Sequence, residues 1–240
     1  MRMIIPTCDK YINVLEASKY TFDKYEGKDL DITILGFKEP NFDLGSWKFV
    51  SLGTDTGPQN LSHDLWKFFE SFDDEYFIFG NDDIVAVDNL DLKLLDDMEN
   101  MMKSNPNIMK INITSAAESV YINYDIFKDN GDFQYRVVPQ DATYRLSLNC
   151  GIWRTSYFKK YCQLGAGHWI WETRDTAKND GAVLLGTTGR HVLDFGHIFR
   201  YGDMTIGKDW YKSEYTGKQL STEDFEYTKN IIEKVKKESS

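Results

Sequence analysis

Short apolar runs alternate with longer amphipathic ones along the first half of the chain. Met3 to Pro6 is an apolar run broken at Pro6-Thr7, and it predicts a strand. Tyr11, Val14, Leu15, Ser18 and Phe22 then recur near helical spacing, which predicts a helix to about Tyr25 with Asp9 placed to cap it. Ile32 to Leu35, closed by Gly36, and Trp47 to Leu52 predict two further strands. Leu61, Leu65, Phe68, Phe69 and Phe72 make one face of a second helix. Tyr76-Phe77-Ile78-Phe79 is short, aromatic and without helical spacing, so it reads as a strand buried on both faces. Leu90 to Met102 predicts a helix and Ile108 to Ile113 a strand. This alternation implies an α/β fold with a mostly parallel central sheet flanked by helices.

The pattern loosens in the second half. Tyr121 to Gln140, rich in Asp, Asn and aromatics, predicts a loop or hairpin excursion. Tyr144 to Leu148 reads as a strand, Asn149-Cys150-Gly151 as a turn, and Thr155 to Cys162 as a short helix. A break at Gly165-Ala166-Gly167 precedes a helix over Trp169 to Lys178. Ala182 to Leu185 and His191 to Phe195 predict short strands, and Glu223 to Lys237 a terminal amphipathic helix. With no repeat, low-complexity tract or linker composition, one domain is expected.

Composition narrows the partners. Aromatic residues make up 15% of the 240, enough for a sizeable core, and the net charge is −10. No Lys/Arg cluster occurs before the terminal helix, which argues against nucleic acid. A nucleotide stays open, since a bound metal can neutralise its phosphates. Cys8, Cys150 and Cys162 give neither a disulfide framework nor zinc spacing, so a reducing compartment is expected. The N-terminal apolar run is too short for a signal peptide, and no stretch approaches the ~20 apolar residues of a membrane span. The expected location is cytoplasmic.

The candidate chemistry starts at Gly80, where the aromatic strand stops and two carboxylates follow, Asp82 and Asp83. Open α/β sheets bind ligands beyond the carboxyl ends of their strands. Two carboxylates there suit Mg²⁺ or Mn²⁺ holding substrate phosphates. An acidic turn is the competing reading.

The chain resembles the GT-A class of nucleotide-sugar glycosyltransferases. Four stretches carry the resemblance: MIIPTCDKY; GPQNLSHDLWKFFESFDDEYFIFGNDDIV; LNCGIWRTSYFKKY followed by HWIWETRD; and FGHIFRYGD. The class's DxD motif falls on Asn81-Asp82-Asp83, with asparagine in place of the first aspartate. The resemblance implies a single GT-A, Rossmann-like domain. Residues 1–115 would form the nucleotide-sugar half, 116–220 the acceptor half, and 221–240 a terminal helix.

By the same resemblance Pro6, Thr7, Cys8, Asp9 and Gln59 meet the nucleotide, with Asn81, Asp82 and Asp83 beside them. Asp83 is the direct metal ligand, and a late histidine, His197, joins it on Mn²⁺ or Mg²⁺. Arg154 either meets a phosphate or lies packed along its stem. Glu172 and Asp175, three apart on a predicted helix, are the candidate general bases, unless they only favour the helix dipole. Trp153, Trp169 and Trp171 suit stacking on an acceptor sugar, or equally a core.

The implied partners are a nucleotide-diphosphate sugar of the UDP or GDP type and a glycan or glycolipid acceptor. The implied reaction is metal-dependent sugar transfer to a hydroxyl. Two rivals stay open, a nucleotidyltransferase acting on a sugar phosphate and a non-catalytic carbohydrate-binding module.

Overall fold

The computed structural model describes residues 1–25, 27–162, 166–173, 178–198 and 217–238. Eleven strands are described: β1 (Arg2–Pro6), β2 (Asp31–Gly36), β3 (Lys48–Ser51), β4 (Tyr76–Phe79), β5 (Ile84–Ala86), β6 (Ile108–Asn112), β7 (Ile126–Asp129), β8 (Gln134–Val137), β9 (Gly151–Arg154), β10 (Val183–Thr188) and β11 (Phe195–His197). Helices are α1 (Leu15–Lys24), α2 (Leu61–Phe69), α3 (Leu92–Ser104), α4 (Glu118–Tyr121), α5 (Thr155–Cys162), α6 (His168–Thr173) and α7 (Thr222–Glu238).

Nine strands form one sheet in the order β3-β2-β1-β4-β9-β6-β10-β8-β7. The pairings run β3, β2, β1, β4, β6, β10 and β7 in one direction and oppose only β9 and β8. The sheet is therefore mostly parallel, as the alternation predicts.

Both faces are covered, which explains the unbroken apolar run of β4. Ile78 packs on one face with Leu94 and Met98 of α3 and with Leu15 and Phe22 of α1. Phe77 and Phe79 pack on the other with Phe69 of α2 and Phe158 of α5. Phe69, Phe77 and Phe158 have ring centroids 4.6–5.0 Å apart, the close tilted packing that aromatic quadrupoles favour. The α7 helix lies on α1, with buried Asp224 accepting from Tyr20, Lys24 and Tyr25.

Several expectations are corrected. Tyr144 to Leu148 is not a strand: Tyr144 sits at φ 58°, a left-handed turn that interrupts extended pairing. The strand lies instead at β9, where Gly151 opens it rather than closing a turn. Asp9 does not cap α1, which is preceded by a short turn of 3-10 helix over Ile12–Val14; Asp9 accepts from the Lys38 amide at 3.1 Å. The expected strand His191 to Phe195 starts four residues later, because the Val192 and Leu193 amides both turn to the Ile113 carbonyl. Tyr121 to Gln140 holds the hairpin β7–β8. No helix among the described residues is long and apolar enough to cross a membrane.

Candidate functional site

A cleft of about 560 Å³ opens at the carboxyl ends of β1 and β4. Pro6, Thr7 and Cys8 line it from the first loop, and Gly80, Asn81, Asp82 and Asp83 from the loop after β4. Gly80 lets the two loops close on each other. A Cβ there would stand 2.7 Å from Met3 Cε and 2.8 Å from Ile5 Cγ1. Thr7 Oγ1 then donates to Asp82 Oδ2 at 2.7 Å across the gap. Burial, with Asp83 adding its charge, pushes the Asp82 carboxyl up to about 7. Burial also raises the Cys8 thiol. Tyr11, Phe37, Leu52 and Leu61 give the cleft an apolar side.

Asn81 does not behave as an acid lost from a metal site. Its amide bridges to the far loop, donating to the Leu148 carbonyl at 3.3 Å and accepting from the Cys150 thiol at 3.0 Å. It fixes the Leu146–Cys150 segment against the strand end.

His197 reaches Asp83 through a ribbon that the apolar pattern does not announce. β5 and β11 pair antiparallel, with His197 opposite Ile84 and Phe195 opposite Ala86. Two hydroxyls of α1 anchor the ribbon: Ser18 Oγ donates to the Ile84 carbonyl at 2.7 Å, and Thr21 Oγ1 accepts from the Ala86 amide at 3.1 Å. His197 Nδ1 thereby lies 3.3 Å from Asp83 Oδ2. The Phe195 ring stands edge-on to the imidazole at 5.1 Å.

Among the described residues no group of three or more His, Cys, Asp or Glu comes together to hold an ion. The chain offers a carboxylate and an imidazole, a pair that fits Mn²⁺ or Mg²⁺ only if phosphate and water complete the shell.

Glu172 stands on α6, one turn after His168, which lines the cleft. Its Oε1 accepts from the Leu148 amide at 2.7 Å, and its Oε2 lies 3.3 Å from His168 Nε2. Burial alone would raise this carboxyl. Hydrogen bonds from His168 and the Leu148 amide, with the His168 and Lys110 charges, outweigh burial and hold it below the usual range. Glu172 in turn raises His168, which lines the cleft. The sequence offers His168 as a lining residue of the acceptor site; the structure puts it in the cleft with Asp82 and Asp83. Its signal is the four-residue spacing from Glu172 on one helical face. Asp175 lies outside the described residues.

Other expected residues fall elsewhere. Arg154 is a correction: because β9 runs antiparallel to β4, Arg154 pairs with Tyr76 at the opposite edge of the sheet. There it is 8% exposed and donates to Glu75 and to the carbonyls of Met102, Asn105 and Ile108. Trp153 and Trp171 are fully buried, so neither offers a face to a sugar. Trp171 instead donates from Nε1 to the Leu146 carbonyl at 3.1 Å, holding α6 under the loop. Trp169 is 66% exposed beside His168, the one tryptophan of the three with a free face. Gln59 folds back onto the Thr56 carbonyl at 2.9 Å, and Asp9 pairs with Lys38; neither lines the cleft.

No protein-family model matches the chain, and no curated protein matches it. Solved structures do. S. aureus TarS 1-349 in complex with UDP-GlcNAc is similar over 98% of this chain and 66% of its own, at 13% identity and a TM-score of 0.51. The galactosyltransferase LgtC, in complex with donor and acceptor sugar analogues, is similar at 12% identity and a TM-score of 0.39. That match covers 67% of this chain and 60% of its own. A cytidylyltransferase from Leptospira borgpetersenii matches over 99% of this chain and 94% of its own, at 13% identity and a TM-score of 0.43. At these identities the likeness is one of fold, and the chain has the GT-A-like α/β fold that the four stretches imply.

Proposed function

We propose that this chain is a metal-dependent glycosyltransferase that moves a sugar from a nucleotide-diphosphate sugar to a hydroxyl acceptor. The observation that carries the reading is what meets at the carboxyl end of β4: Asp83, with His197 3.3 Å away, lines the cleft, and so does His168, the partner of the Glu172 carboxylate. The base would lie along the apolar side near Tyr11 and Phe37, with Thr7 and Asp82 near the ribose.

Asp83 and His197 would hold Mn²⁺ or Mg²⁺, which supplies charge neutralisation for the departing diphosphate. That need is plain in the cleft's own charge. Asp55, Asp64, Asp82 and Asp83 line it with Lys10 and His168, and Arg154, the expected phosphate partner, is at the other sheet edge.

Glu172, kept ionised by His168 and the Leu148 amide, accepts the proton of the acceptor hydroxyl. The oxygen then bonds to the anomeric carbon as the bond to the diphosphate breaks, and the nucleoside diphosphate leaves with the electron pair. The donor is of the UDP or GDP type, and the acceptor is a glycan or glycolipid hydroxyl.

Calorimetry with UDP and GDP, each with Mn²⁺ and with a chelator, tests the reading. One nucleotide binds, and more tightly with the metal. Absence of binding by either under both conditions overturns it. Release of pyrophosphate from a nucleoside triphosphate and a sugar phosphate would instead identify a nucleotidyltransferase.

A further inference from the structure

A second pocket of about 530 Å³ shares a wall with the nucleotide cleft. Along the loop that closes both, Leu148 faces the cleft while its neighbours Ser147 and Asn149 face the second pocket. Glu172 lines this second pocket, and its partner His168 lines the cleft. The candidate base therefore stands between two cavities.

The floor of the second pocket is β6. Lys110 and Asn112, two positions apart on the strand, both line it. Lys110 is fully buried, an unusual place for an ammonium. It donates to the Ser147 carbonyl at 2.6 Å and lies 5.2 Å over the Trp153 ring. No carboxylate stands within ion-pair distance of it among the described residues; Glu172 acts on it only at longer range. The backbone makes room for it. A Cβ at Gly151 would stand 2.6 Å from Lys110 Cε and 2.9 Å from the Ile111 carbonyl oxygen.

Asn112 is 3% exposed and donates to the Tyr121 hydroxyl, yet its Oδ1 has no hydrogen-bond partner. Tyr121 is itself seated on Gly186, where a Cβ would collide with its ring. Buried acceptors without donors are rare because each forfeits its hydration. A buried ammonium without a counter-ion is costlier still. One occupant answers both: an anionic group for Lys110, and a hydroxyl donating to Asn112 Oδ1.

We propose that this pocket is the acceptor site, and that it takes a hydroxylated molecule carrying an anionic group, a carboxylate or a phosphate ester, which pairs with Lys110. Its role as acceptor site rests on the glycosyltransferase reading; its binding of the anion does not. The occupant's reacting hydroxyl faces Glu172, and the wall at Leu148 brings it up to the donor in the cleft.

Three groups bear on the titration of Lys110: Cys150, Glu172 and, through Glu172, His168. Burial pushes its ammonium down to about 7. Burial pushes the Cys150 thiol up to about 12, and Glu172 is held below the carboxylate range. His168, bonded to Glu172 and raised from the ordinary histidine value, is the other group whose charge can change here, and it lines the cleft rather than the pocket.

The test is calorimetric titration with D-glucose, D-glucuronate and glucose 6-phosphate, without nucleotide and with UDP plus Mn²⁺. At pH 6.5 at least one anion binds about tenfold tighter than glucose, and which one does so separates carboxylate from phosphate. Glucuronate stays ionised throughout, so its preference over glucose falls about tenfold by pH 8.5 as Lys110 loses its proton. Lys110→Met removes the preference while circular dichroism shows an intact fold. Equal binding of all three probes, no binding of any, or a preference that survives either Lys110→Met or pH 8.5 overturns the proposal. If Lys110→Met does not fold, the pH series is read on His168→Gln, which removes the other group that titrates near the pocket and keeps Lys110. A lysine serving only to brace Ser147 would leave the probe preference flat. Failure of UDP and GDP to bind would sink the glycosyltransferase reading alone.

Discussion

His197 Nδ1 stands 3.3 Å from Asp83 Oδ2, across 114 positions of chain. The approach is set by backbone rather than by the two side chains. Pairing of β5 with β11 puts His197 opposite Ile84, the residue after Asp83, and the Ile198 amide donates to the Asp83 carbonyl at 2.7 Å. If this pair holds the proposed ion, both groups are in place before it arrives, which lowers the ordering cost of binding it.

The two ligands therefore have separable effects. His197→Ala should raise the Mn²⁺ midpoint for UDP or GDP affinity about tenfold, in line with removal of one weaker ligand. Asp83→Asn should abolish the metal dependence. A Mn²⁺ titration of nucleotide affinity measures both, and an unchanged midpoint for His197→Ala would remove the histidine from the site.

Glu172→Gln should lower turnover by about 10²–10⁴-fold while donor affinity stays within a few-fold, because the loss is felt in the transition state. The glutamine can still accept from the Leu148 amide, so the loop keeps its brace. His168 loses the partner that raises it, and its pKa should fall, readable by NMR. Retained turnover would clear Glu172 of the role.

Arg154→Met should behave as a core variant. The change removes one of the two donors to the Met102 carbonyl, the other being the Asn105 amide, and the guanidinium's bond to the Ile108 carbonyl, at a cost of about 1–3 kcal/mol in urea unfolding. Nucleotide affinity should not change, because the guanidinium lies at the opposite sheet edge from the cleft. A loss of affinity with stability intact would return Arg154 to the phosphates.

The elements legible in the sequence are those that bury their own apolar repeat. β1, β2, β4 and β6 show short apolar runs, and α2 and α3 show helical faces. What escaped depends on partners far along the chain. β5 and β11 are three residues each, too short for any period, and exist only as a pair. β9 begins at a glycine that looked like a turn but is there because Lys110 leaves no room for a Cβ.

Strand direction is also invisible locally, and it decides the fate of Arg154. Run parallel, β9 would deliver that end to the cleft; run antiparallel, it delivers Gly151 there instead. The tryptophans show the same limit. Trp169 and Trp171 are two apart on one helix, yet one is exposed and the other fully buried, and composition says nothing of which. Asp83 was readable because it follows an apolar strand at the sheet's carboxyl edge, whereas His197 beside it was expected from the resemblance and not from any apolar period.

Lys110 gives a prediction with a sign. Folded, its ammonium releases the proton near 7; unfolded, near the ordinary value of 10.5. Between these the unfolded chain holds the extra proton, so raising the pH favours the folded state. Below about 7 both forms are charged and the full cost of burial is felt. Above about 10.5 both are neutral and the cost has gone. Lys110→Met has no such group, so the unfolding free energy of the unaltered protein, minus that of the variant, should rise from pH 7 to 9. The slope cannot exceed about 1.4 kcal/mol per pH unit, the value for one proton, and the total over that range is on the order of 2 kcal/mol. Cys150 and Asp82 also titrate differently in the two states, but they are common to both proteins and cancel in the difference. Urea unfolding at a series of pH values measures it. Parallel profiles would mean that the Ser147 carbonyl and the Trp153 face compensate the ammonium fully, and that Lys110 carries its charge with no need of an anion.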